Sequence, residues 1–170
     1  MKILRFTLFL LAFGITFGCG GEKQKKEEKE EIKIGSNKEK SSEESNAVSI
    51  GLSGNDLMKF DKSEIKVKSG QEVTLTLRHI GKMDIKVMGH NFVLLKPGVS
   101  ITEFSVKASD AGETSDWIPE DGKDVIVHTK MIGGGQSTSV TFMAPEVGTY
   151  DFICSFPGHS ALMKGKFIVE

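Results

Sequence analysis

Apolar residues recur at every second position in a series of short runs between residues 47 and 170. In the clearest run, Val73, Leu75 and Leu77 alternate with polar side chains. A period of two is that of a β-strand, whose successive side chains point to opposite faces of a sheet. About eight such runs, separated by Gly, Ser, Asp and Pro, predict an all-β domain: an antiparallel Greek-key sandwich or barrel over residues 47–170.

One stretch of the domain interrupts the alternation. Residues 100–122 are less regular, and "SDWIPEDGKD" within them is typical of a loop or a short helix. We therefore expect a short helical or irregular insert around residues 109–122. Two sheets of this length bury one core, and aromatic side chains are its expected occupants: Phe60, Phe92, Phe142, Phe152 and Phe167.

The N-terminal residues have the pattern of an export signal. Lys2 and Arg5 precede the apolar run 6–18, which is too short for a comfortable membrane span. Cys19 follows directly, as at a bacterial lipoprotein cleavage site. We predict a lipoprotein signal peptide over residues 1–18, cleaved before a lipidated Cys19. An ordinary cleaved signal with an incidental cysteine is the alternative, and both imply export.

A charged segment links this signal to the domain. Residues 22–46 are almost entirely Lys, Glu, Ser and Asn, with no aromatic side chain. Such a composition cannot bury enough apolar surface to offset the entropy lost on ordering. We interpret residues 19–46 as a flexible tether, with a solvated helix as the alternative for its Lys- and Glu-rich part. The formal net charge of the chain is −1 at pH 7, which gives no support for a nucleic-acid surface.

The run "CSFPGHSALM" places three potential metal ligands in one loop: Cys154, His159 and Met163. A thiolate, an imidazole and a thioether together suit a soft or borderline metal. A structural zinc site favours four strong donors, whereas copper accepts a thiolate, imidazoles and a long axial methionine sulfur. Such a copper site needs a second histidine from elsewhere in the chain, and the candidate is His90, in "KVMGHNFVLL". A lone histidine is usually structural, but coincidence does not readily explain the whole set.

Four segments resemble the azurins, the blue copper proteins of the cupredoxin family. They are "GNDLMKF", "VMGHNFVL", "VIVHTKMIGGGQSTSVTF" and "CSFPGHSALMKG", and the resemblance covers nearly all of residues 48–170 in order. It implies a cupredoxin fold that binds one copper ion, cycling between Cu(I) and Cu(II). In the family pattern, His90, Cys154 and His159 are the strong ligands, Met163 is an axial thioether, and the Gly89 carbonyl is the opposite axial ligand.

The resemblance also implies roles for residues around the metal. Asn91 would tie the two ligand loops together, and its backbone and that of Phe156 would donate hydrogen bonds to the Cys154 sulfur. Of the other two histidines, His79 would be buried near the site and His128 would lie on the surface, both as non-ligands. An apolar partner-docking patch would be rimmed by Met58, Met83, Met88 and Pro157. Core packing is the alternative role for the methionines.

The sequence departs from the azurins in two places. The family has a disulfide whose positions fall near Val48 and Gln71, and neither position holds a cysteine here. The family tryptophan after the first histidine is replaced by Phe92, and the one tryptophan of the chain is Trp117. Neither change touches the expected ligands.

These observations predict a type 1 (blue) copper protein that shuttles single electrons and is not an enzyme. Its partners would be redox proteins such as cytochromes, a reductase or a peroxidase, and the domain would be monomeric. We expect it in the periplasm or cell envelope, held at a membrane by its N-terminal lipid. A copper chaperone or storage lipoprotein is the alternative. A catalytic cupredoxin would need a second histidine cluster, and the chain has only four histidines. A plain structural sandwich would bind no metal.

Overall fold

The computed structural model describes residues 46–170. The predicted signal peptide, Cys19 and the tether as far as residue 45 lie outside these residues. Among residues 46–170, no helix is long and apolar enough to cross a membrane.

Nine strands, two α-helices and three short 3₁₀ turns make up the described part of the chain. The strands are β1 (Ala47–Asn55), β2 (Lys59–Phe60), β3 (Glu64–Val67), β4 (Glu72–His79), β5 (Val93–Leu95), β6 (Val125–His128), β7 (Ser137–Met143), β8 (Gly148–Ile153) and β9 (Lys164–Val169). The helices are α1 (Ile85–Met88) and α2 (Ile101–Ala111), and the 3₁₀ turns are Glu113–Ser115, Glu120–Gly122 and His159–Ala161.

The strands form two sheets, of four and five strands, which confirms the predicted sandwich. The four-stranded sheet has the order β2-β1-β4-β7 and the five-stranded sheet has the order β3-β9-β8-β5-β6. Not every pairing is antiparallel as expected, because β1 with β4 and β3 with β9 are parallel. The chain crosses to the second sheet for β3 and then returns for β4 beside β1. An alternating pattern records which face a side chain takes but not the direction of the neighbouring strand.

A long contact between β1 and β4 occupies the region where the family disulfide is absent. The two strands pair from Ala47 with Glu72 to Gly54 with His79. At the start of this ladder, the Asn46 side chain donates a hydrogen bond of 2.9 Å to the Gly70 carbonyl. The beginning of β1 is therefore fixed by backbone pairing and one side-chain hydrogen bond.

The predicted insert around residues 109–122 begins earlier than expected, with helix α2. The side chain of Ser100 caps its N-terminus by accepting a hydrogen bond from the Glu103 amide. Phe104 and Ala108, one turn apart, are buried against the five-stranded sheet. The Ser-x-x-Glu pattern that precedes these apolar positions is a recognised helix start signal.

Four of the five phenylalanines expected in the core are buried: Phe60, Phe92, Phe152 and Phe167. Phe152 packs against Phe60 and Phe92 with ring centroids 5.8 and 5.5 Å away. Phe142 is only half-buried because it lies on β7, one of the two edge strands of its sheet, although its ring still contacts Phe167. A second, smaller cluster fills the space between α2 and the five-stranded sheet.

Several strands end or begin at the same end of the sandwich. Ile153, the last residue of β8, pairs with Lys164, the first residue of β9, and with Val93, the first residue of β5. The residues just outside these strands therefore meet: Cys154 after β8, Met163 before β9, and the His90 segment before β5. The sandwich thus brings together loops that are distant in sequence.

Phe152 links both sheets, so its truncation tests the core directly. We predict that Phe152→Ala lowers the unfolding free energy of the metal-free protein by about 3–5 kcal/mol, through lost burial and a cavity. Denaturant unfolding followed by circular dichroism measures this change. Met143→Ala, at an exposed position of β7, is the control and should change it by less than about 0.5 kcal/mol. Equal effects of the two variants would contradict this description of the core.

Candidate metal centre

Three buried side chains converge at the end of the sandwich: His90, Cys154 and His159. Their candidate ligand atoms all lie within 4.8 Å of one another. Cys154 follows β8 directly, His159 begins a 3₁₀ turn, and His90 forms an isolated β-bridge with Ile132 ahead of β5. The structure therefore brings together the three residues that the sequence predicts as strong metal ligands.

The loop from Cys154 to Met163 is closed by its own backbone. The Cys154 amide donates to the Met163 carbonyl at 2.9 Å, and the Met163 amide donates to the His159 carbonyl at 2.7 Å. The His159 amide in turn donates to the Phe156 carbonyl at 3.0 Å. Gly158 has a φ of 81°, a left-handed conformation that glycine adopts without a steric penalty. The turn residues thus fix the spacing of the donors.

The hydrogen bonds of His90 leave one ring nitrogen facing an acceptor. Nε2 lies 2.9 Å from the Asn55 carbonyl oxygen and Nδ1 lies 2.8 Å from the Gly89 carbonyl oxygen. Burial lowers the pKa of His90, so the ring is neutral at pH 7 and carries one N–H. One nitrogen donates to a carbonyl, and the other then presents a lone pair to a carbonyl oxygen. The lone pairs of that nitrogen and of the facing carbonyl oxygen repel each other, and a cation bound between the two atoms would remove this repulsion.

The carbonyl of Gly89 is a common neighbour of all three side chains. Besides its contact with His90, it lies 3.7 Å from the Cys154 sulfur and interacts with the His159 ring. A Cβ on Gly89 would lie 2.7 Å from the Ile85 carbonyl oxygen and 2.8 Å from the Phe156 ring. Only glycine lets the backbone approach the site this closely.

Met163 is fully buried beside the same cluster. A Cβ on Gly54 would lie 2.7 Å from the His90 ring and 3.1 Å from the Met163 methyl carbon. Because Gly54, in β1, has no side chain, the His90 ring and the Met163 methyl group can occupy this space. This glycine was not among the residues predicted for the site, although "GNDLMKF" contains it.

The environment of the Cys154 sulfur opposes ionisation in the metal-free protein. Burial raises the pKa of this thiol to about 12, although backbone N–H groups of Asn91 and Phe156 donate to it and act in the opposite direction. Both donors are the ones expected from the family resemblance. A bound cation would offset the desolvation cost of the thiolate, and the two N–H groups would then stabilise its charge.

The His159 imidazole is also neutral at pH 7. Burial lowers its pKa to about 4, and the neighbouring His90 and His79 rings act in the same direction. Its Nδ1 lies 3.7 Å from the Cys154 sulfur. Two neutral imidazoles, one thiol, one thioether and one carbonyl oxygen in a buried site fit copper better than a hard cation or structural zinc.

Asn91 connects the two ligand loops. Its side-chain oxygen accepts a hydrogen bond of 2.9 Å from the Ser155 amide, and its amide nitrogen donates to the Ser155 hydroxyl at 2.7 Å and to the Asp116 carbonyl at 3.1 Å. Since Asn91 follows His90 and Ser155 follows Cys154, these bonds hold the two ligands in register. The involvement of Asp116 was not predicted, because no local pattern marks a backbone carbonyl as a partner.

The remaining histidines lie where the sequence analysis expected them. His79 is buried, and its ring stacks on His90 with centroids 4.2 Å apart. The Gly81 amide donates to His79 Nδ1, and Nε2 lies 2.8 Å from the Met88 carbonyl oxygen, so both nitrogens are engaged by protein groups. His128 is exposed.

The residues expected to rim a docking patch differ in exposure. Met83 and Pro157 are exposed, whereas Met58 and Met88 are half-buried. Three further apolar side chains close to the ligand segments are exposed and were not in the predicted rim: Leu57, Val87 and Leu162. The whole His159 residue is only 3% exposed.

Comparisons with known proteins agree with this geometry. The family model "Copper binding proteins, plastocyanin/azurin family" matches residues 46–170. Azurin-1 of Alcaligenes xylosoxydans xylosoxydans is 44% identical over 124 residues, covering 69% of this chain and 93% of that protein. Azurin of Pseudomonas aeruginosa is 41% identical over 126 residues, covering 72% of this chain and 84% of that protein.

A solved structure is similar as well. Auracyanin A of Chloroflexus aurantiacus, described as a "blue" copper protein, superimposes with a TM-score of 0.68 at 32% sequence identity. The match covers 73% of this chain and 99% of that one.

The lowered pKa of His159 predicts an acid-sensitive metal-free protein. Between the unfolded-state pKa of about 6.5 and the folded-state value of about 4, the unfolded chain binds the extra proton. We therefore expect the unfolding free energy to fall by up to about 3 kcal/mol as the pH drops through this window. Denaturant unfolding at pH 7, 5.5 and 4.5 measures it.

Carboxylates also titrate below pH 5, so a variant isolates the histidine. His159→Gln should show a smaller loss between pH 7 and 4.5 than the unsubstituted protein, while His128→Gln, at an exposed position, should show the full loss. Identical pH profiles for all three proteins would contradict the assignment.

Proposed function

The chain belongs to the plastocyanin/azurin family of copper-binding proteins, and we propose that it is a blue copper protein that carries single electrons between redox partners outside the cytoplasmic membrane. The observation that carries this proposal is the buried cluster of His90, Cys154 and His159 at one end of the sandwich. Two imidazoles and a thiolate are the strong donors of blue copper electron-transfer sites.

In this proposal one copper ion is held by His90, Cys154 and His159. The Met163 thioether and the Gly89 carbonyl act as weak ligands, supported by the burial of Met163 and by the convergence of the three donors on the Gly89 oxygen. Copper bound by these residues would supply a one-electron couple between Cu(I) and Cu(II). The weak ligands Met163 and Gly89 and the hydrogen bonds to the Cys154 sulfur would tune its reduction potential.

The protein's own contribution is to hold the donor atoms in fixed positions and to shield them from water. The loop from Cys154 to Met163 is closed by backbone hydrogen bonds, and Asn91 fastens it to the His90 segment. Ligands that move little between two oxidation states need little reorganisation when an electron is transferred. The five donors come from the protein itself, so the site offers no position for a substrate. We therefore propose a carrier and not an enzyme.

A copper chaperone or storage lipoprotein would use the same soft donors. It would need a site from which another protein could take the metal. His90 and Cys154 have no exposed surface and His159 has almost none. This burial favours the electron carrier over the chaperone.

We propose that partners dock on the apolar surface around His159. Its members are the predicted rim residues Met58, Met83, Met88 and Pro157, together with the exposed Leu57, Val87 and Leu162. Docking there would bring a partner's redox centre next to the ligand loop. Small apolar interfaces suit the brief contacts of electron transfer, and cytochromes, a reductase or a peroxidase are suitable partners.

The N-terminal sequence supports a location in the periplasm or cell envelope. The apolar run before Cys19 favours export, and a lipid on Cys19 would hold the domain at a membrane through the tether 19–46. We propose that the domain acts there as a monomer. Its tether would keep it close to partners in the same membrane and so raise its effective concentration near them.

Visible absorption tests the copper site. We predict that adding Cu(II) to the purified protein produces an intense blue thiolate-to-copper band, which ascorbate bleaches. Cys154→Ser should abolish this band, because Cys154 supplies the thiol of the cluster, whereas Cys19→Ser, in the predicted lipidation site, should retain it. A colourless or merely pale copper complex would contradict the proposal.

Electron self-exchange tests the docking surface without an identified partner. We predict that Leu162→Lys leaves the blue band unchanged but slows self-exchange by at least about tenfold, since two like charges would meet at the contact. Nuclear magnetic resonance line broadening in mixed oxidised and reduced samples measures the rate. Val147→Lys is the matched control, because Val147 is 70% exposed, like Leu162 at 63%, and precedes β8 at the opposite end of that strand. An equal rate in both variants would contradict this surface.

Cell fractionation tests the anchor. We predict that Cys19→Ala moves the protein from the membrane fraction to the soluble fraction, because the lipid attachment site is lost. Cys154→Ala is the control and should stay in the membrane fraction. A Cys19→Ala protein that remains there would contradict lipid anchoring.

A further inference from the structure

Asp116 and Trp117 form a turn with unusual backbone conformation. Their φ angles are 53° and 59°, so two consecutive residues other than glycine lie in the left-handed region. The Cβ of such a residue is crowded by its own backbone in this region, so the conformation persists only where surrounding contacts impose it.

The contacts of Asp116 lead directly to the metal centre. Its carbonyl oxygen accepts hydrogen bonds from the Asn91 side-chain nitrogen Nδ2 at 3.1 Å and from the Ser155 hydroxyl at 3.5 Å. Its carboxylate oxygen Oδ1 accepts a hydrogen bond of 3.2 Å from the Met131 amide. One residue thus joins three separate segments of the chain.

Each of these three segments touches the candidate ligands. Asn91 follows His90, and Ser155 follows Cys154. The Met131 sulfur lies 3.0 Å from the point that a Cβ on Gly89 would occupy. In addition, the Trp117 ring packs edge-on against Phe156 at 5.6 Å, and the Phe156 backbone N–H donates to the Cys154 sulfur.

We propose that the Asp116–Trp117 turn is a positioning element of the copper site, with Asp116 as its positioning residue. The amide group of Asn91 is completely buried, and the Asp116 carbonyl is the acceptor for one of its N–H bonds. That bond fixes the orientation of the Asn91 side chain, which holds Ser155 and hence Cys154 against the His90 segment. The carboxylate holds the Met131 segment, which packs on Gly89, in the same arrangement.

A second turn provides a matched control within the same insert. Glu120 and Asp121 also have left-handed φ angles, of 51° and 52°. The Glu120 side chain pairs with Lys107 of helix α2 at 3.1 Å. A substitution at Asp121 therefore changes a turn of the same geometry without touching the Asn91 network.

The test compares three variants of the full-length protein: Asp116→Gly, Asp116→Asn and Asp121→Gly. Glycine adopts a φ near 53° without strain, so both glycine variants are expected to fold. Asparagine tolerates the left-handed conformation and keeps a side-chain oxygen that can accept from Met131, so it is the conservative replacement. Denaturant unfolding and circular dichroism establish that each variant is folded.

In the metal-free protein, the readout is the alkylation rate of Cys154, located by mass spectrometry of the modified peptide. We expect Asp116→Gly to raise this rate about three- to tenfold, because it removes the carboxylate that accepts from the Met131 amide and loosens the backbone whose carbonyl accepts from Asn91. Asp116→Asn and Asp121→Gly should react at the rate of the unsubstituted protein. Equal rates in Asp116→Gly and Asp121→Gly would overturn the proposal.

In the copper-loaded protein, the readouts are copper affinity and reduction potential. Asp116→Gly should lower the affinity about tenfold to a hundredfold, as for other outer-sphere changes, and should shift the potential. Asp116→Asn and Asp121→Gly should both have the copper affinity and the reduction potential of the unsubstituted protein. An Asp116→Gly protein with unchanged affinity and potential would overturn the proposal.

This inference rests on the proposed copper site, but the two fail in different ways. A protein that forms no blue complex in its unsubstituted form refutes the proposed function. In that case the alkylation rates alone decide whether the turn positions Cys154. A normal blue complex that is indifferent to Asp116 refutes only the positioning role.

Discussion

The hydrogen bonds that close the loop between β8 and β9 are the interaction on which the candidate site depends. The Cys154 amide donates to the Met163 carbonyl, and the Met163 amide donates to the His159 carbonyl, so three candidate donors are fixed by the backbone of one turn. This turn continues the antiparallel ladder of β8 and β9, which is anchored in the core through Phe152 and Phe167. The fourth donor, His90, is brought to the turn by β5, the neighbour of β8, and is fastened there by Asn91. The rigid sandwich therefore holds the candidate ligands in fixed positions.

Burial determines the chemistry of these ligands. It raises the pKa of the Cys154 thiol to about 12 and lowers the pKa values of His90 and His159, so each of the three is held in its neutral form without metal. A neutral imidazole is ready to bind a metal, whereas the thiol must lose its proton when copper binds. The N–H groups of Asn91 and Phe156 donate to the sulfur and are placed to stabilise the thiolate. The same burial that destabilises the charged forms also keeps water from the site, which is the condition an electron carrier requires.

The sequence was sufficient to predict the sandwich and the three side chains that converge at its end, His90, Cys154 and His159. The alternation at Val73, Leu75 and Leu77 follows from the pleat of a strand, and these residues are fully buried. The three strong donors were found because their residue types are rare and closely spaced, and because the surrounding segments resemble the azurins. The parallel pairing of β1 with β4 could not be read from alternation. Helix α2 begins earlier than expected because Ser100 caps it ahead of Ile101. Gly54, the Asn55 carbonyl and the Asp116 carbonyl were missed for a common reason: they act through shape or backbone groups, which leave no pattern in side-chain chemistry.

A pair of crystal structures, of the metal-free protein and of its copper complex, would test most directly whether the site is preformed by the fold. In our account the side chains of His90, Cys154 and His159 and the backbone of residues 154–163 superimpose within about 0.5 Å in the two forms, with copper bound among them. A metal-free structure in which the loop is open, or in which one of the three side chains is rotated into solvent, would contradict it. Copper would then assemble the site, and the sandwich would not hold it ready.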